Sequence, residues 1–175
     1  MCGIGGIFLS SGSNKHINDY NLLLIKIKNT LKERGPDDQL IHTYAPRIGL
    51  VHTRLKIQDP YSKTVRQPYR LNNLIISYNG EIYNHLELRK YILDDYRFKS
   101  LNDVETLVAL IDKLGIHEGV KLLDGIFAFS LYDLSSEKLY LVRDHIGAKP
   151  LFYWHDTIEG SLVWGSYPSS VVEGT

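Results

Sequence analysis

The chain has 175 residues, no formal net charge and a single cysteine. This length fits one domain, and the dispersed Lys and Arg residues argue against nucleic acid or an anionic membrane as a partner. One cysteine excludes an internal disulfide framework, and the sequence has neither a signal peptide nor a membrane-length apolar run, so we expect a soluble, cytoplasmic protein.

The N-terminal stretch joins a candidate nucleophile to a predicted strand. Residues 3–9 are mostly apolar and follow Met1-Cys2. Removal of Met1 would leave Cys2 with both a thiol and a free α-amine. Such an amine has a pKa of about 7.7–8, so it can act as a base near neutral pH and activate the thiol. The alternative is that a cysteine after Met is chance and the stretch only begins a buried strand.

The next segment predicts a helix and two strands. Asn18 or Asp19 is a candidate helix cap, and Gly35-Pro36 is a typical stop signal. Between them, apolar residues recur at three- and four-residue spacing, at Tyr20, Leu23, Leu24, Ile27 and Leu31. We predict strands over residues 40–44 and 47–52, followed by an irregular stretch to residue 67.

The middle of the chain predicts a strand over residues 74–78, which Asn79-Gly80 would end. Two Asn–Glu pairs three residues apart, starting at Asn84 and Asn102, have the spacing of a capping box and predict two helices. The second helix has a buried stripe of Val104, Leu107, Val108, Ile111 and Leu114. Gly115 ends it, and a short helix is expected over residues 116–123.

The last third predicts mainly strands. Residues 126–132 are apolar on both faces, which is typical of a strand between two layers. A hairpin strand is expected over residues 139–142, with further strands over 151–154 and 161–165. Neighbouring strands with helices grouped between them favour an α+β fold with largely antiparallel sheets. We therefore expect two sheets face to face with helices outside.

Three polar groups are candidates for chemistry. The Asn79 side chain and the Gly80 N–H can form an oxyanion hole, although Asn-Gly is also an ordinary turn. The fork of Arg54 suits a carboxylate, although a surface salt bridge is the simpler interpretation. Asp103 is predicted in a first helical turn, where the dipole keeps it ionised and able to hold an ammonium group. Helix-end stabilisation would also explain Asp103.

Other candidates are weaker. His52 or His85 could pair with Cys2, but a thiol beside its own α-amine does not need a histidine. The segment over residues 143–147 contains Asp and His, yet it lacks the ligand spacing of a zinc site and the glycines of a phosphate loop. We therefore expect no metal site.

Taken together, these motifs resemble the glutaminase domain of class II glutamine amidotransferases, the N-terminal-nucleophile type. The similarity is greatest to the N-terminal half of glutamine-dependent asparagine synthetases. It extends in the family order over roughly residues 1–165. The matching segments are Met1-Cys2-Gly3-Ile4, Arg34-Gly35-Pro36-Asp37, His52-Thr53-Arg54-Leu55-Lys56-Ile57, Tyr78-Asn79-Gly80-Glu81-Ile82-Tyr83-Asn84, Asp103-Val104-Glu105, Leu123-Asp124-Gly125-Ile126-Phe127-Ala128-Phe129 and Arg143-Asp144-His145-Ile146-Gly147-Ala148-Lys149-Pro150-Leu151.

The resemblance implies a four-layer αββα sandwich that hydrolyses L-glutamine to glutamate and ammonia through a Cys2 thioester. It implies that Asn79 and Gly80 hold the oxyanion. Arg54 would bind the glutamine α-carboxylate, and Asp103 would bind its α-ammonium group. The remaining residues implied to line the pocket are Leu55, Lys56, Ile57, Gln58 and Glu81.

The sequence also departs from the family. Synthetases of this type have a second domain whose Ser-Gly-Gly-x-Asp-Ser loop activates aspartate with ATP and magnesium, and no such loop occurs in these residues. Trp164-Gly165-Ser166 replaces the usual Ala-Ser-Glu. We expect one amidotransferase domain over residues 1–175 that lacks its last strands and a synthetase domain. It would need no cofactor and would pass ammonia to a separate or lost synthetase domain.

Two other functions remain open on the sequence alone. One is a non-catalytic module that binds glutamine or another protein. The other is an N-terminal-nucleophile amidase that acts on a different amide. Arg54 and Asp103 discriminate between the enzymes, since only an amino-acid substrate needs both of its charges matched.

Overall fold

The computed structural model describes residues 1–13, 15–44, 46–56 and 65–175. Its strands are β1 (Gly3–Leu9), β2 (Asp38–Tyr44), β3 (Ile48–Arg54), β4 (Tyr69–Leu71), β5 (Leu74–Ile82), β6 (Gly125–Asp133), β7 (Lys138–Arg143), β8 (Phe152–Asp156) and β9 (Ser161–Gly165). Its helices are α1 (Asn21–Leu31), α2 (His85–Tyr91), α3 (Asp103–Leu114), α4 (Ile116–Lys121) and α5 (Pro168–Glu173), and a 3₁₀ turn at Ile17–Tyr20 precedes α1. Over the described residues, no helix has the length and apolar character needed to cross a bilayer.

These strands form two antiparallel sheets. One sheet has the order β2-β3-β1-β9-β8, and the other has the order β4-β5-β6-β7. β1 lies at the centre of the five-stranded sheet, where Gly5 pairs with Val51 on one side and with Gly165 on the other. Because Gly3 pairs with Thr53, the start of β1 lies beside the end of β3. Cys2 is therefore brought next to Arg54 by the register of the sheet.

Three apolar clusters fill the spaces between four layers of helices and sheets. Between the two sheets lie Ile48, Leu50, Ile75, Tyr132 and Trp164, all buried. The outer face of the five-stranded sheet packs on α1, through a cluster that includes Ile7, Leu24, Ile27, Leu31, Val51 and Val163. The outer face of the four-stranded sheet packs on α3, through a cluster that includes Ile76, Phe129, Val104, Leu107, Val108 and Ile111. The predicted α+β sandwich of two antiparallel sheets with helices outside is confirmed, in an αββα order.

The predicted end of the strand at Asn79-Gly80 is wrong. β5 continues to Ile82, and Asn79 and Gly80 pair with Ala128 and Phe127 of β6. The long partner strand supplies ladder hydrogen bonds at the position where an isolated Asn-Gly sequence would turn. The strand therefore carries Asn79 and Gly80 within a rigid sheet instead of on a loop.

Two predicted helix caps also differ from the structure. The side chain of Asn84 does not cap α2: its Nδ2 donates to the Leu122 carbonyl at 2.8 Å, and its Oδ1 accepts from the Asp124 N–H at 3.1 Å. Before α1, His16 caps the 3₁₀ turn, since its Nδ1 accepts from the Asn18 N–H at 3.2 Å, and α1 itself has no side-chain cap among the described residues. In both places a tertiary or turn partner replaces the cap expected from residue type. The predicted cap at Asn102 is confirmed, because its side chain accepts from the Val104 N–H. The reciprocal half of the capping box is not formed, because the Glu105 carboxylate accepts from the N–H groups of Lys99 and Ser100 instead.

Candidate active site

One pocket brings together most of the residues selected from the sequence. It lies where β1 begins and β3 ends, and it encloses a cavity of about 100 Å³. Its lining consists of Met1, Cys2, Arg54, Leu55, Gln67, Tyr78, Asn79, Gly80, Glu81, Asn102, Asp103 and Lys149. These residues are far apart in the sequence, and the two sheets and the N-terminus of α3 place them together.

Cys2 lies at the start of β1, with its side chain partly buried. Its Sγ is 3.8 Å from the Leu55 carbonyl, and the Arg34 Nε donates to the Cys2 carbonyl at 2.9 Å. Burial raises the pKa of the Cys2 thiol, while the positive charges of the N-terminus, Arg54 and Arg34 oppose that rise. A thiol with a raised pKa is mostly protonated at neutral pH, so it needs a base to become a nucleophile.

Met1 lies at the mouth of this pocket. Its side chain is about half exposed, and its Sδ is 3.5 Å from the Lys149 Nζ and 3.9 Å from the Arg34 Nη2. While Met1 is attached, the Cys2 nitrogen belongs to a peptide bond and its lone pair is not available to a proton. Only removal of Met1 creates an amine next to the thiol.

Asn79 lies on the face of β5 that points toward the other sheet. The same face carries Ser77, whose Oγ donates to the Val51 carbonyl of β3 at 3.3 Å. The Asn79 side chain is buried, and its Nδ2 has no hydrogen-bond partner among the described residues. Leaving a buried amide donor unsatisfied costs about 1–3 kcal/mol, so such a group in a pocket is a strong candidate for binding a ligand oxygen.

The segment that follows α1 fixes the end of β3. The Asp37 N–H donates to the Arg54 carbonyl at 3.0 Å, and Pro36 forms a parallel bridge with Arg54. Gly35 lies so close to the backbone of Thr53 and Arg54 that a Cβ at this position would overlap it. The Arg34-Gly35-Pro36-Asp37 motif therefore holds the backbone of Arg54, while the Arg54 side chain lines the pocket.

Asp103 begins α3 and is almost completely buried. Its Oδ2 accepts from the Tyr78 hydroxyl at 2.6 Å and from the Ile82 N–H at 2.9 Å. Burial raises the pKa of Asp103, although these two hydrogen bonds lower it. Burial therefore opposes the ionised form that the helix dipole favours. A cation entering the pocket would stabilise the carboxylate and lower this pKa.

Besides Met1, four pocket residues were not selected from the sequence: Gln67, Tyr78, Asn102 and Lys149. Tyr78 belongs to a segment of the family resemblance and Asn102 was predicted as a helix cap, but neither was assigned to the pocket. The Gln67 Oε1 accepts from the Tyr78 N–H at 2.7 Å, a contact between β5 and a residue eleven positions earlier. Lys149 reaches the pocket from the turn after β7. Gln67 has no local pattern that separates it from an ordinary loop residue, whereas Lys149 belongs to the last segment of the family resemblance but was given no role there.

Not every predicted residue lines the pocket. Lys56 is exposed and outside the lining, and its N–H donates to the Asp37 carboxylate at 2.8 Å. The predicted residues Ile57 and Gln58 lie outside the described part of the chain. Leu55 and Glu81 are in the lining, as expected from the resemblance.

The two candidate histidines, His52 and His85, do not belong to the pocket lining either. His52 is buried, and its Nε2 donates to the Tyr78 carbonyl at 3.2 Å, which ties β3 to β5. Burial lowers the pKa of His52 to about 4, so it is neutral near pH 7. His52 is thus a structural histidine, and it links the two sheets immediately beside Asn79.

The turn over residues 143–147 also has a structural role. The Asp144 carboxylate accepts backbone N–H groups from Phe127, Ala148 and Lys149 at 2.8–3.1 Å. These hydrogen bonds outweigh desolvation and lower the pKa of Asp144. Within residues 1–13, 15–44, 46–56 and 65–175, no three His, Cys, Asp or Glu side chains are grouped to hold a metal ion.

Comparison with known proteins agrees with this geometry. The sequence profile of the glutamine amidotransferase domain matches residues 1–175, and the chain belongs to this family. The resemblance stated from the motifs is therefore confirmed.

Similar proteins occur in distant organisms. The chain is 35% identical over 156 residues to "Asparagine synthetase [glutamine-hydrolyzing] 2" of Bacillus subtilis, a match that covers 87% of the chain and 20% of that protein. It is 38% identical over 144 residues to the rice protein of the same name, covering 82% of the chain and 23% of the relative. The human "Asparagine synthetase [glutamine-hydrolyzing]" is 36% identical over 158 residues, with coverage of 87% and 26%. The chain thus spans about a quarter or less of these relatives.

Proposed function

We propose that this domain hydrolyses L-glutamine to glutamate and ammonia, as the glutamine-hydrolysing part of an enzyme of the asparagine synthetase type. The observation that carries the proposal is the single pocket lined by Cys2, Arg54, Asn79, Gly80 and Asp103. It combines a nucleophile, oxyanion donors and one partner for each charge of an amino acid. Family membership and the names of the relatives support the same conclusion.

The charged residues in the pocket lining suit the zwitterionic part of glutamine. Arg54 can donate two parallel hydrogen bonds to the α-carboxylate, and Asp103 can accept from the α-ammonium group. Glu81 adds a second carboxylate to the pocket lining. This arrangement leaves the side-chain carboxamide to reach Cys2 and Asn79.

The chemistry follows the usual course of acyl transfer. The free α-amine of processed Cys2 removes the thiol proton, and Sγ attacks the carboxamide carbon. Asn79 Nδ2 and the Gly80 N–H stabilise the negative oxygen of the tetrahedral intermediate. The protonated amine gives its proton to the carboxamide nitrogen, and the C–N bond breaks. Ammonia departs, and the γ-glutamyl group remains on Cys2 as a thioester. Water, deprotonated by the same amine, then attacks the thioester and releases glutamate and the thiol.

The proposed function also requires an acceptor for the ammonia. Ammonia released into water at neutral pH is mostly protonated and then has no nucleophilic lone pair. We therefore propose direct transfer to a synthetase domain, on a longer chain or on a separate subunit, where ATP and magnesium would activate the acceptor. A cytoplasmic location, where these substrates are found, is part of this proposal.

The substrate assignment predicts strong discrimination for the α-ammonium group. We expect kcat/KM for L-glutamine to exceed that for glutaramic acid, the analogue without the α-amine, by roughly 100-fold, because a buried charged hydrogen bond contributes about 1.5–3 kcal/mol. Asp103→Asn is expected to remove most of this difference by lowering the value for glutamine alone. The ratio of the two kcat/KM values is measured from ammonia release with each compound in a coupled assay.

The alternatives predict other results in the same assay. Equal kcat/KM values for glutamine and for amides without amino-acid charges would favour an amidase of different specificity. Calorimetric binding of glutamine without any glutamate release, by protein shown to begin at Cys2, would favour a non-catalytic module.

A further inference from the structure

The loop that connects α2 to α3 is held by an arginine outside the pocket. Arg89 of α2 is partly buried, and all three nitrogens of its guanidinium donate. Nη1 donates to the Ser100 carbonyl at 2.8 Å, Nη2 to the Asn102 carbonyl at 2.8 Å, and Nε to the Thr106 hydroxyl at 2.6 Å. One side chain therefore fastens the last residues of the loop to the first turn of α3.

Aromatic stacking fixes the plane of the same guanidinium. Its carbon lies 4.0 Å from the centroid of the Phe98 ring, within the range of a cation–π contact. A flat, stacked fork with three directed hydrogen bonds has little freedom to rotate. Its two carbonyl partners are therefore held at a defined separation.

A buried carboxylate holds this loop from its other side. Glu105 in α3 has no exposed surface. Its Oε1 accepts from the Lys99 N–H at 2.9 Å, and its Oε2 accepts from the N–H and the hydroxyl of Ser100 at 2.9 and 2.7 Å. Glu105 binds the N–H groups of the loop, whereas Arg89 binds its carbonyls. The pair thus clamps the chain directly before Asp103.

The clamped segment leads directly into the pocket. Asn102 and Asp103 both line it, and the Asn102 Oδ1 accepts from the Val104 N–H at 3.1 Å to start α3. Asp103 follows directly and directs its carboxylate to Tyr78 and Ile82 of β5. A change in the path of residues 100–102 would move the Asp103 backbone relative to β5.

We infer that Arg89 is a positioning residue for recognition of the substrate's α-ammonium group, acting through the clamped loop on Asp103. The inference rests on the proposed function, because it concerns the same pocket. Arg89 is not among the pocket-lining residues and would not touch the substrate. Its effect would therefore be confined to the part of the substrate that Asp103 binds. The simpler alternative is that Arg89 only stabilises the packing of α2 on α3.

Substitution with lysine separates these two roles. Arg89→Lys keeps the charge and loses the fork, so it cannot hold both carbonyls and Thr106. We expect KM for L-glutamine to rise roughly tenfold, since small displacements of a binding group have effects of this order or larger. We expect kcat to change little, and the kinetics with glutaramic acid, which has no α-ammonium group, to stay as in the wild type.

Arg97 offers a matched control, because it is an exposed arginine of the same loop. Arg97→Lys should leave the kinetics with both substrates unchanged. If Arg89→Lys does not fold, Glu105→Gln tests the same clamp by weakening its other side, with the same expected pattern. Equal losses with both substrates, or unchanged kinetics with both, in a folded clamp variant would overturn the inference. Failure of the wild-type protein to prefer glutamine over glutaramic acid would instead refute the proposed function.

Discussion

Cys2→Ala should abolish glutamine hydrolysis, lowering kcat by at least roughly 10⁴-fold, since removal of a covalent nucleophile eliminates the acyl-enzyme route. Alanine is small enough to allow removal of Met1, so the variant keeps its free α-amine. The loss therefore reports on the thiol alone. Glutamate release by purified protein, with the N-terminus established by mass spectrometry, is the measurement.

Binding supplies the control for this variant. Arg54, Glu81 and Asp103 are unchanged in Cys2→Ala, and the side chain of Cys2 is only partly buried. We therefore expect the variant to fold and to bind glutamine with an affinity close to that of the wild type, as measured by calorimetry. Glutamine hydrolysis by Cys2→Ala at more than a few per cent of the wild-type rate would contradict the assignment of the nucleophile.

Asn79→Ala is expected to lower kcat by about 10²–10³-fold while KM changes much less. The Asn79 Nδ2 has no partner among the described residues, so its donor is available for an oxygen that becomes negative only during the reaction. The loss of one oxyanion donor typically has an effect of this size. Steady-state kinetics with glutamine at saturating and limiting concentrations separates kcat from KM.

A second asparagine provides the matched control. Asn73 is exposed in the turn before β5, so Asn73→Ala removes the same chemical group from the protein surface. It should leave kcat unchanged. Equal effects of the two substitutions, or a change in KM alone for Asn79→Ala, would argue that Asn79 binds the ground state or supports the fold and does not hold the oxyanion.

The sequence predicted the layers well because they depend on apolar periodicity. The apolar stripe of α1 packs in the cluster beneath that helix, and β6 contributes to the clusters on both of its faces. The predicted turn at Asn79-Gly80 is wrong because pairing with β6 overrides a local turn preference. The predicted cap at Asn84 is wrong because its side chain forms hydrogen bonds with Leu122 and Asp124 instead.

The candidate site was predictable where a residue type is chemically distinctive. Cys2, Arg54 and Asp103 stood out as a lone thiol, a strand-end arginine and a helix-start carboxylate. Gln67 and Arg89 could not be found in this way, because their importance arises from hydrogen bonds to distant backbone groups. The raised pKa of Asp103 also depends on burial that no local pattern specifies.

The most direct test of the central claim is covalent trapping at Cys2. A glutamine analogue with a diazoketone in place of its carboxamide should alkylate the thiol once the two charges of the analogue are bound by the pocket. Peptide mass spectrometry should then find one adduct, on the N-terminal peptide of chains that begin at Cys2, with activity lost in proportion and glutamine protecting against both. In protein made with an extra N-terminal segment, the Cys2 nitrogen belongs to a peptide bond. This protein should be inactive and should react with the analogue far more slowly. Labelling elsewhere with loss of activity, or full activity in the extended protein, would contradict catalysis by an N-terminal Cys2.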